Sequence, residues 1–236
     1  ISLDSALGQQ RRLNQVGETI SSIAAPTAAY SLRSLTGGDP DVVQVRRSSD
    51  NAEEIFTASQ VTSGALTSFV GSGNDGFVSI WFDQAGSSNA TQSDDGDEPK
   101  IVSSGNLVDL DSDGIPAVDF TGGKYLVFSA ISAKTVVGVN HLTSTTSLNY
   151  LIGKNLGDGG VRTASGNGIF QGADCPTSQT ADFNNSGGST HMNGSQSSFL
   201  STTKNVYFGT ATSGNLLSSI GTGFEFPPWF NKVLAR

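Results

Sequence analysis

The sequence predicts an all-β fold, and three observations carry that expectation. Short runs rich in β-branched and aromatic residues recur along the chain, among them Val42-Val43-Gln44-Val45 and Phe77-Val78-Ser79-Ile80-Trp81-Phe82. Each is followed at once by polar turn formers, as strands ending at a sheet margin are. Hydrophobic content is low at 36 % and Gly numbers 29, yet the apolar runs persist throughout, which fits a turn-rich β domain better than disorder. A chain of 236 residues also suffices for one sizeable core, and β-sandwiches of this length are commonly one domain.

The chain divides at about residue 29. From Ile1 to Ala29, Leu3, Leu7, Leu13, Val16 and Ile20 are scattered through a polar stretch with Arg11-Arg12, and Pro26 stops any helix. Residues 1–29 read either as an N-terminal arm or linker that docks on a neighbour, or as a first strand preceded by a tail. Residues 30–236 read as the sandwich. Within it, Ala29 to Leu35 is a strand or one helical turn, and Thr36-Gly37-Gly38-Asp39-Pro40 is a turn. Val42 to Arg47 is a strand whose period of two puts Val43, Val45 and Arg47 on one face and Val42, Gln44 and Arg46 on the other. Ser59 to Val70 is a short helix or irregular crossover leading to the strand that ends at Phe82. Leu107-Val108 and Ile115 to Phe120 flank Asp113-Gly114, read as a two-residue hairpin turn. Further strands are expected at Tyr125–Ala130, Thr135–Asn140, Tyr150–Gly153, Gly168–Gln171, Thr190–Met192 and Val206–Thr210, a spacing that suits an antiparallel sandwich or jelly roll.

The charge balance narrows the function. A formal net charge of −8 lacks the basic footprint that nucleic-acid or anionic-membrane partners need. No stretch approaches the ~20 apolar residues of a membrane-spanning helix. The single Cys, Cys175, excludes an internal disulfide framework, and one Cys with two His makes a zinc cluster a poor expectation.

Several residues are candidates for chemistry. Arg47 shares a face with two valines, so burial there demands an acidic partner; Asp50 or Asp83 is expected to supply it as a structural ion pair, the alternative being an Arg clamp for a sugar or carboxylate. Trp81, Asp83 and Gln84 combine an aromatic face with a carboxylate and an amide, the groups that read a sugar ring and its hydroxyls. Scaffold is the competing reading, since alternation sends Trp81 and Phe82 to opposite faces. Trp229, in Phe224-Glu225-Phe226-Pro227-Pro228-Trp229-Phe230, is a third candidate carbohydrate platform, or a subunit contact, or core. The acidic run Ser93 to Glu98 offers oxygen ligands without calcium-loop spacing. Asp109-Leu110-Asp111-Ser112-Asp113-Gly114 opens like such a loop, but its twelfth position is Phe120 instead of Glu. No metal and no cofactor is therefore expected. Glycoside hydrolysis needs two carboxylates about 5 to 9 Å apart. Beyond Lys134 only Asp158, Asp174, Asp182 and Glu225 are available, all in apparent turns.

A resemblance joins these pieces. Ala29 to Leu35 (AYSLRSL), Val43 to Glu54 (VQVRRSSDNAEE), Trp81 to Gln92 (WFDQAGSSNATQ), Pro99 to Gly105 (PKIVSSG) and Gly114 to Gly122 (GIPAVDFTG) resemble, in order, the motifs of a module related to the catalytic domain of fungal α-L-arabinofuranosidase B. The same module recurs in head-surface, tail and fibre proteins of bacteriophages. His191-Met192-Asn193-Gly194-Ser195-Gln196 and Phe230-Asn231-Lys232-Val233-Leu234 resemble a hairpin and the opening of the last strand of concanavalin A-like domains. The resemblance implies a concanavalin A-like jelly-roll β-sandwich with a short N-terminal arm. It also implies a non-enzymatic virion surface protein, as head decoration, tail or fibre component, partnered by other virion proteins and by itself as a homo-oligomer, and in contact with host glycan. The alternatives are a carbohydrate-binding module outside a virion and an arabinofuranosidase-like hydrolase. The fungal enzymes rely on disulfides, which one Cys cannot supply.

Overall fold

The computed structural model describes residues 26–109, 114–142, 149–153, 168–171, 189–192, 204–221 and 231–234. These residues are mostly strands of an antiparallel sheet with two short helices, the composition of an all-β sandwich. Strand β1 (Asp41–Arg47) turns into β2 (Glu53–Thr57), helices α1 (Ala58–Thr62) and α2 (Ala65–Val70) follow, and β3 (Gly76–Trp81) returns beside β1. Next come β4 (Ala90–Thr91), β5 (Lys100–Ser103), β6 (Asn106–Leu107), β7 (Val118–Asp119) and the long β8 (Tyr125–Leu142). The remainder is β9 (Asn149–Gly153), β10 (Gly168–Gln171), β11 (Ser189–Met192), β12 (Lys204–Gly221) and β13 (Asn231–Leu234). The main order is β10-β9-β12-β8-β13-β7-β5-β3-β1-β2, with β4, β6 and β11 pairing to one side of it.

The two central apolar runs become β1 and β3, paired Val43 to Trp81 and Val45 to Val78. Val42, Val43, Val45, Val78 and Trp81 are all fully buried, because an irregularity at Asp41/Val43 and a second at Gln44/Val45 break strict alternation and both faces are covered. One cover is α2, whose Val70 lies over Gly76. A β-carbon at Gly76 would meet the Val70 Cγ2 at 2.8 Å and the Val45 Cγ1 at 3.1 Å, so only a bare backbone admits the helix there. Helix α1 starts with a capping box: Gln60 N–H donates to the Thr57 hydroxyl, and Thr57 N–H donates to Gln60 Oε1 at 2.9 Å. Asp39 braces the same end, accepting from Ser59 N–H at 2.7 Å and from the Ser59 and Thr57 hydroxyls. These bonds hold its carboxyl below the usual range.

Two local expectations need correcting. Ala29 to Leu35 is neither strand nor helix but an irregular segment gripped by side chains described below. The turn expected at Asp113-Gly114 lies in part outside the described residues; beside it Ala117 N–H donates to the Val108 carbonyl at 2.9 Å, and Gly114 N–H donates to the Asp109 carboxylate at 2.8 Å. Among the described residues, a two-residue hairpin joins β5 to β6 at Ser104 and Gly105, both with positive φ (52° and 83°) as a type I′ turn requires. Tyr125–Ala130 and Thr135–Asn140 are one strand: β12 pairs along β8 from Tyr125 to His141, with register shifts at Thr210/Asn215 and Leu217/Ser219, and its residues Asn215 to Leu217 pair with Ala133 to Ile131 between the two expected strands.

Candidate functional site

The motif residues converge on three polar clusters around the β1–β3 core. The first centres on Arg46, which is 8 % exposed and lies on the β1 face that alternation gives to Val42, Gln44 and Arg46. That face is closed by a distant segment, the acidic run 93–98. Arg46 Nε donates to Glu98 Oε2 at 2.8 Å and its NH2 group approaches the same oxygen at 2.7 Å; Glu98 is 2 % exposed. Arg46 also donates to Asn51 Oδ1 at 2.8 Å and to the Asp95 carbonyl at 3.2 Å, and it stacks over Phe77 at 5.1 Å. Every edge of the guanidinium is thus engaged, as burial of that charge requires. Burial pushes the Glu98 carboxyl above its ordinary value, with Arg46 pulling the other way. Asn51 reaches Arg46 from a left-handed backbone (φ 59°) in the β1–β2 turn, a conformation Asn adopts more readily than most residues.

The second cluster holds Arg47. Its Nε and NH2 donate to the two Asp50 oxygens, each at 2.7 Å, in a bidentate pair; its NH1 donates to the Phe69 carbonyl at 3.0 Å, and the guanidinium lies over the Phe69 ring at 4.8 Å. The pair is partly exposed, and it holds the Asp50 carboxyl down at about 2. Asp83, the other partner considered for Arg47, lies elsewhere.

The third cluster is built on Asp83 and Gln84, where β3 ends. Asp83 is buried, and its oxygens accept from Ala29 N–H at 2.8 Å, Ala85 N–H at 3.0 Å and Ser88 N–H at 3.1 Å. Gln84 donates to the Ser31 and Arg33 carbonyls at 3.0 and 2.9 Å and accepts from Leu35 N–H at 2.7 Å. Together the two side chains supply the irregular segment 29–35 with the backbone partners that a sheet would otherwise give it. Tyr30 completes the clamp, its hydroxyl donating to the Ser88 carbonyl. Burial, and then the Asp83 charge, push the Tyr30 phenol well above its ordinary value.

The carbohydrate expectation for these residues is corrected by their packing. Trp81 is fully buried, tilted against Tyr30 at 6.0 Å and Phe120 at 6.5 Å between ring centres, so neither indole face is left for a sugar. Its indole N–H is buried without an acceptor among the described residues, which marks a packing role over a polar one. Asp83 and Gln84 spend their hydrogen-bonding groups on backbone. Trp229 lies outside the described residues, as do Cys175, Asp158, Asp174, Asp182 and Glu225.

Sequence reasoning missed Arg46 and Glu98, which are 52 residues apart and carry no mutual signal. It also missed Asp75, buried enough to be pushed up but held below its ordinary value by Lys100 Nζ at 2.7 Å and Ser104 N–H at 2.8 Å. The Asp83 role had a local signal: a carboxylate accepting from the amide two residues on is the Asx-turn pattern. No group of three or more His, Cys, Asp and Glu side chains among the described residues is placed to hold a metal ion. Comparison of the chain with family models, with curated proteins and with solved structures found no match.

Proposed function

We propose that this chain is a non-enzymatic structural protein of a virus-particle surface, a head-decoration, tail or fibre component that assembles with itself and with other particle proteins and contacts host glycan. One observation carries the reading. In the motifs that resemble the phage and arabinofuranosidase module, the polar side chains best suited to chemistry, Arg46, Arg47, Asp50, Asp83 and Gln84, are all committed to internal bonds. Such motifs specify a scaffold, and a scaffold is the part of the module that a particle protein and an enzyme would share. The acidic balance of the chain favours solubility and gives no reason to invoke a nucleic-acid partner.

The test is the chain's native company. Mass spectrometry of purified particles, with light scattering on the isolated chain, is expected to find it with capsid or tail proteins and as a multimer. A monomer absent from particles would overturn the reading. Release of arabinose from an aryl arabinofuranoside, lost on replacing one of Asp158, Asp174, Asp182 and Glu225, would replace it with the hydrolase.

A further inference from the structure

Strand β2 stands at one end of the strand order, and among the described residues it pairs with β1 alone. Glu53, Glu54 and Ile55 are exposed in succession. Consecutive residues of a strand face opposite sides of the sheet, so such a run marks an edge open from both faces. The ladder fixes which backbone groups point outward. Arg47 N–H donates to the Ala52 carbonyl at 2.9 Å, and bonded and non-bonded pairs alternate along an antiparallel ladder. Following the register from there, Arg46 to Glu53, Val45 to Glu54 and Gln44 to Ile55, Glu54 bonds to β1, whereas Glu53 and Ile55 turn their N–H and C=O groups away from it. Thr57 also faces outward, but its N–H is taken by Gln60 Oε1 in the cap of α1. The open backbone groups therefore centre on Ile55.

The Ile55 side chain is unusual for such a place. Among the described residues the exposed large hydrophobics are Ile55, at 45 %, and Val137, at 64 %. Val137 belongs to β8, which has strands on both sides; Ile55 sits on an edge, where an exposed aliphatic residue favours pairing with another strand. The two glutamates then restrict the partner and the register. Antiparallel pairing of β2 with a second β2 matches all five residues only when Ile55 meets Ile55. That register sets Glu54 against Phe56 and Glu53 against Thr57, so no acid opposes an acid. Sliding one strand by two residues would set Glu54 against Glu54, a destabilising like-charge pair. A two-fold contact places one residue against its own copy, and here that residue is uncharged, apolar and exposed. Glu53 is also held back on its own sheet, accepting from Gln44 Nε2 at 2.9 Å.

We propose that β2 pairs antiparallel with β2 of a second copy of this chain, across a two-fold axis at Ile55, so that two sheets join into one. The inference rests on the self-assembly part of the proposed function and names its contact. Pairing of one short strand is small against the roughly 1,000 Å² of a stable interface. The free chain therefore dimerises weakly, and copies held close together on a particle strengthen the contact by proximity.

Facing Cα atoms of a hydrogen-bonded antiparallel pair lie about 5.5 Å apart, inside the roughly 4.4–6.8 Å that a disulfide spans. The experiment is disulfide trapping in the full chain with its single cysteine removed by Cys175→Ser. On mild oxidation Ile55→Cys is expected to form a covalent dimer about tenfold faster than Glu53→Cys, because pairing raises the local thiol concentration only at the axis. Both positions are exposed, and the proposed register keeps Glu53 away from its own copy. Sedimentation equilibrium up to about 1 mM is expected to find dimers of the wild type and of Ile55→Val, and none of Ile55→Arg, whose fold is checked by circular dichroism. Equal trapping rates at the two positions would reduce the contact to random collision and overturn the proposal. A wild type monomeric throughout, or dimers that persist in folded Ile55→Arg, would overturn it as well. A monomeric wild type that loses particle association on Ile55→Arg would give the edge to a different particle protein. Absence of the chain from particles, with trapping at Ile55 intact, would overturn the particle role and leave the β2 contact standing.

Discussion

Arg46 and Glu98 illustrate how unequal the two halves of a buried ion pair are. Removing the guanidinium leaves Glu98 charged, 2 % exposed and without its cation, so Arg46→Ala is expected to cost about 3–5 kcal/mol in urea denaturation. Glu98→Gln keeps a hydrogen-bond acceptor for Arg46 and removes a charge that burial already disfavours. Its cost at neutral pH is expected to be under about 1 kcal/mol. The sign of the pH dependence follows from the raised Glu98 carboxyl. Between its ordinary value of 4.5 and its higher folded value, the folded protein holds a proton that the unfolded chain has released. This group's contribution to stability therefore rises as pH falls through the folded value and is complete below 4.5. Asp50 has the opposite sign: with its folded value near 2 and its ordinary value 3.8, its contribution is present above 3.8 and is lost as pH falls toward 2. Denaturation midpoints of wild type and Glu98→Gln, measured on descending pH, are thus expected to differ most above the folded Glu98 value. Parallel curves would show that Glu98 does not titrate on folding.

At the scale of elements, the contact of α2 with β3 depends on one missing side chain. Gly76 lies outside the positive-φ set, so its constraint is space instead of backbone freedom. Gly76→Ala is accordingly expected to destabilise by about 1–3 kcal/mol, the usual range for overpacking a filled core, as a lower urea midpoint with an unchanged slope. A loss under about 0.5 kcal/mol would mean that α2 shifts freely on the sheet. The elements also separate what was legible in the sequence from what was not. The β1 and β3 runs declared themselves through consecutive Val, Ile and aromatic residues, whereas Ser59 to Val70, readable only as a short helix or irregular crossover, folds as two short helices that bury Val61, Leu66 and Val70. The Arg47–Asp50 pair was legible as one of two partners named for Arg47. Alternation gave Arg46 a face but no environment, because whether a strand face meets water depends on what covers it, and the cover at Arg46 comes from residues 95–98 far along the chain. Trp81 was legible only as a choice between sugar platform and core. Tyr30 and Phe120, from segments 51 and 39 positions away, decide for the core. The continuous β8 was illegible for a similar reason: Ile131 to Lys134 fell between the two expected strands, and β12 supplies pairing at Ile131, Ser132 and Ala133 that bridges them.

At the scale of the molecule, β13 joins distant parts of the described sheet. It pairs with β8 from Asn231 to Leu234 and with β7 at Lys232 and Val233, so it is inserted between two strands about a hundred residues earlier in the sequence. Neither β7 nor β8 can complete this side of its ladder without it. Ending the chain at Phe230 would expose two facing rows of unpaired backbone groups inside the sheet, each a template for another chain. At about 1 kcal/mol net per hydrogen bond, loss of three or more ladder bonds is expected to cost roughly 3 kcal/mol or more. For a domain of this size that corresponds to a fall of about 6–12 °C in Tm. The exposed edges add a second signature that simple destabilisation would lack: self-association that grows with protein concentration below Tm. Calorimetry and light scattering on the full chain and the shortened one distinguish the cases. Lower Tm with concentration-dependent association is expected from an opened sheet. An unchanged Tm in a monomeric shortened chain would mean that β7 and β8 close on each other without β13, and the insertion would then be an accessory to the fold instead of its final closure.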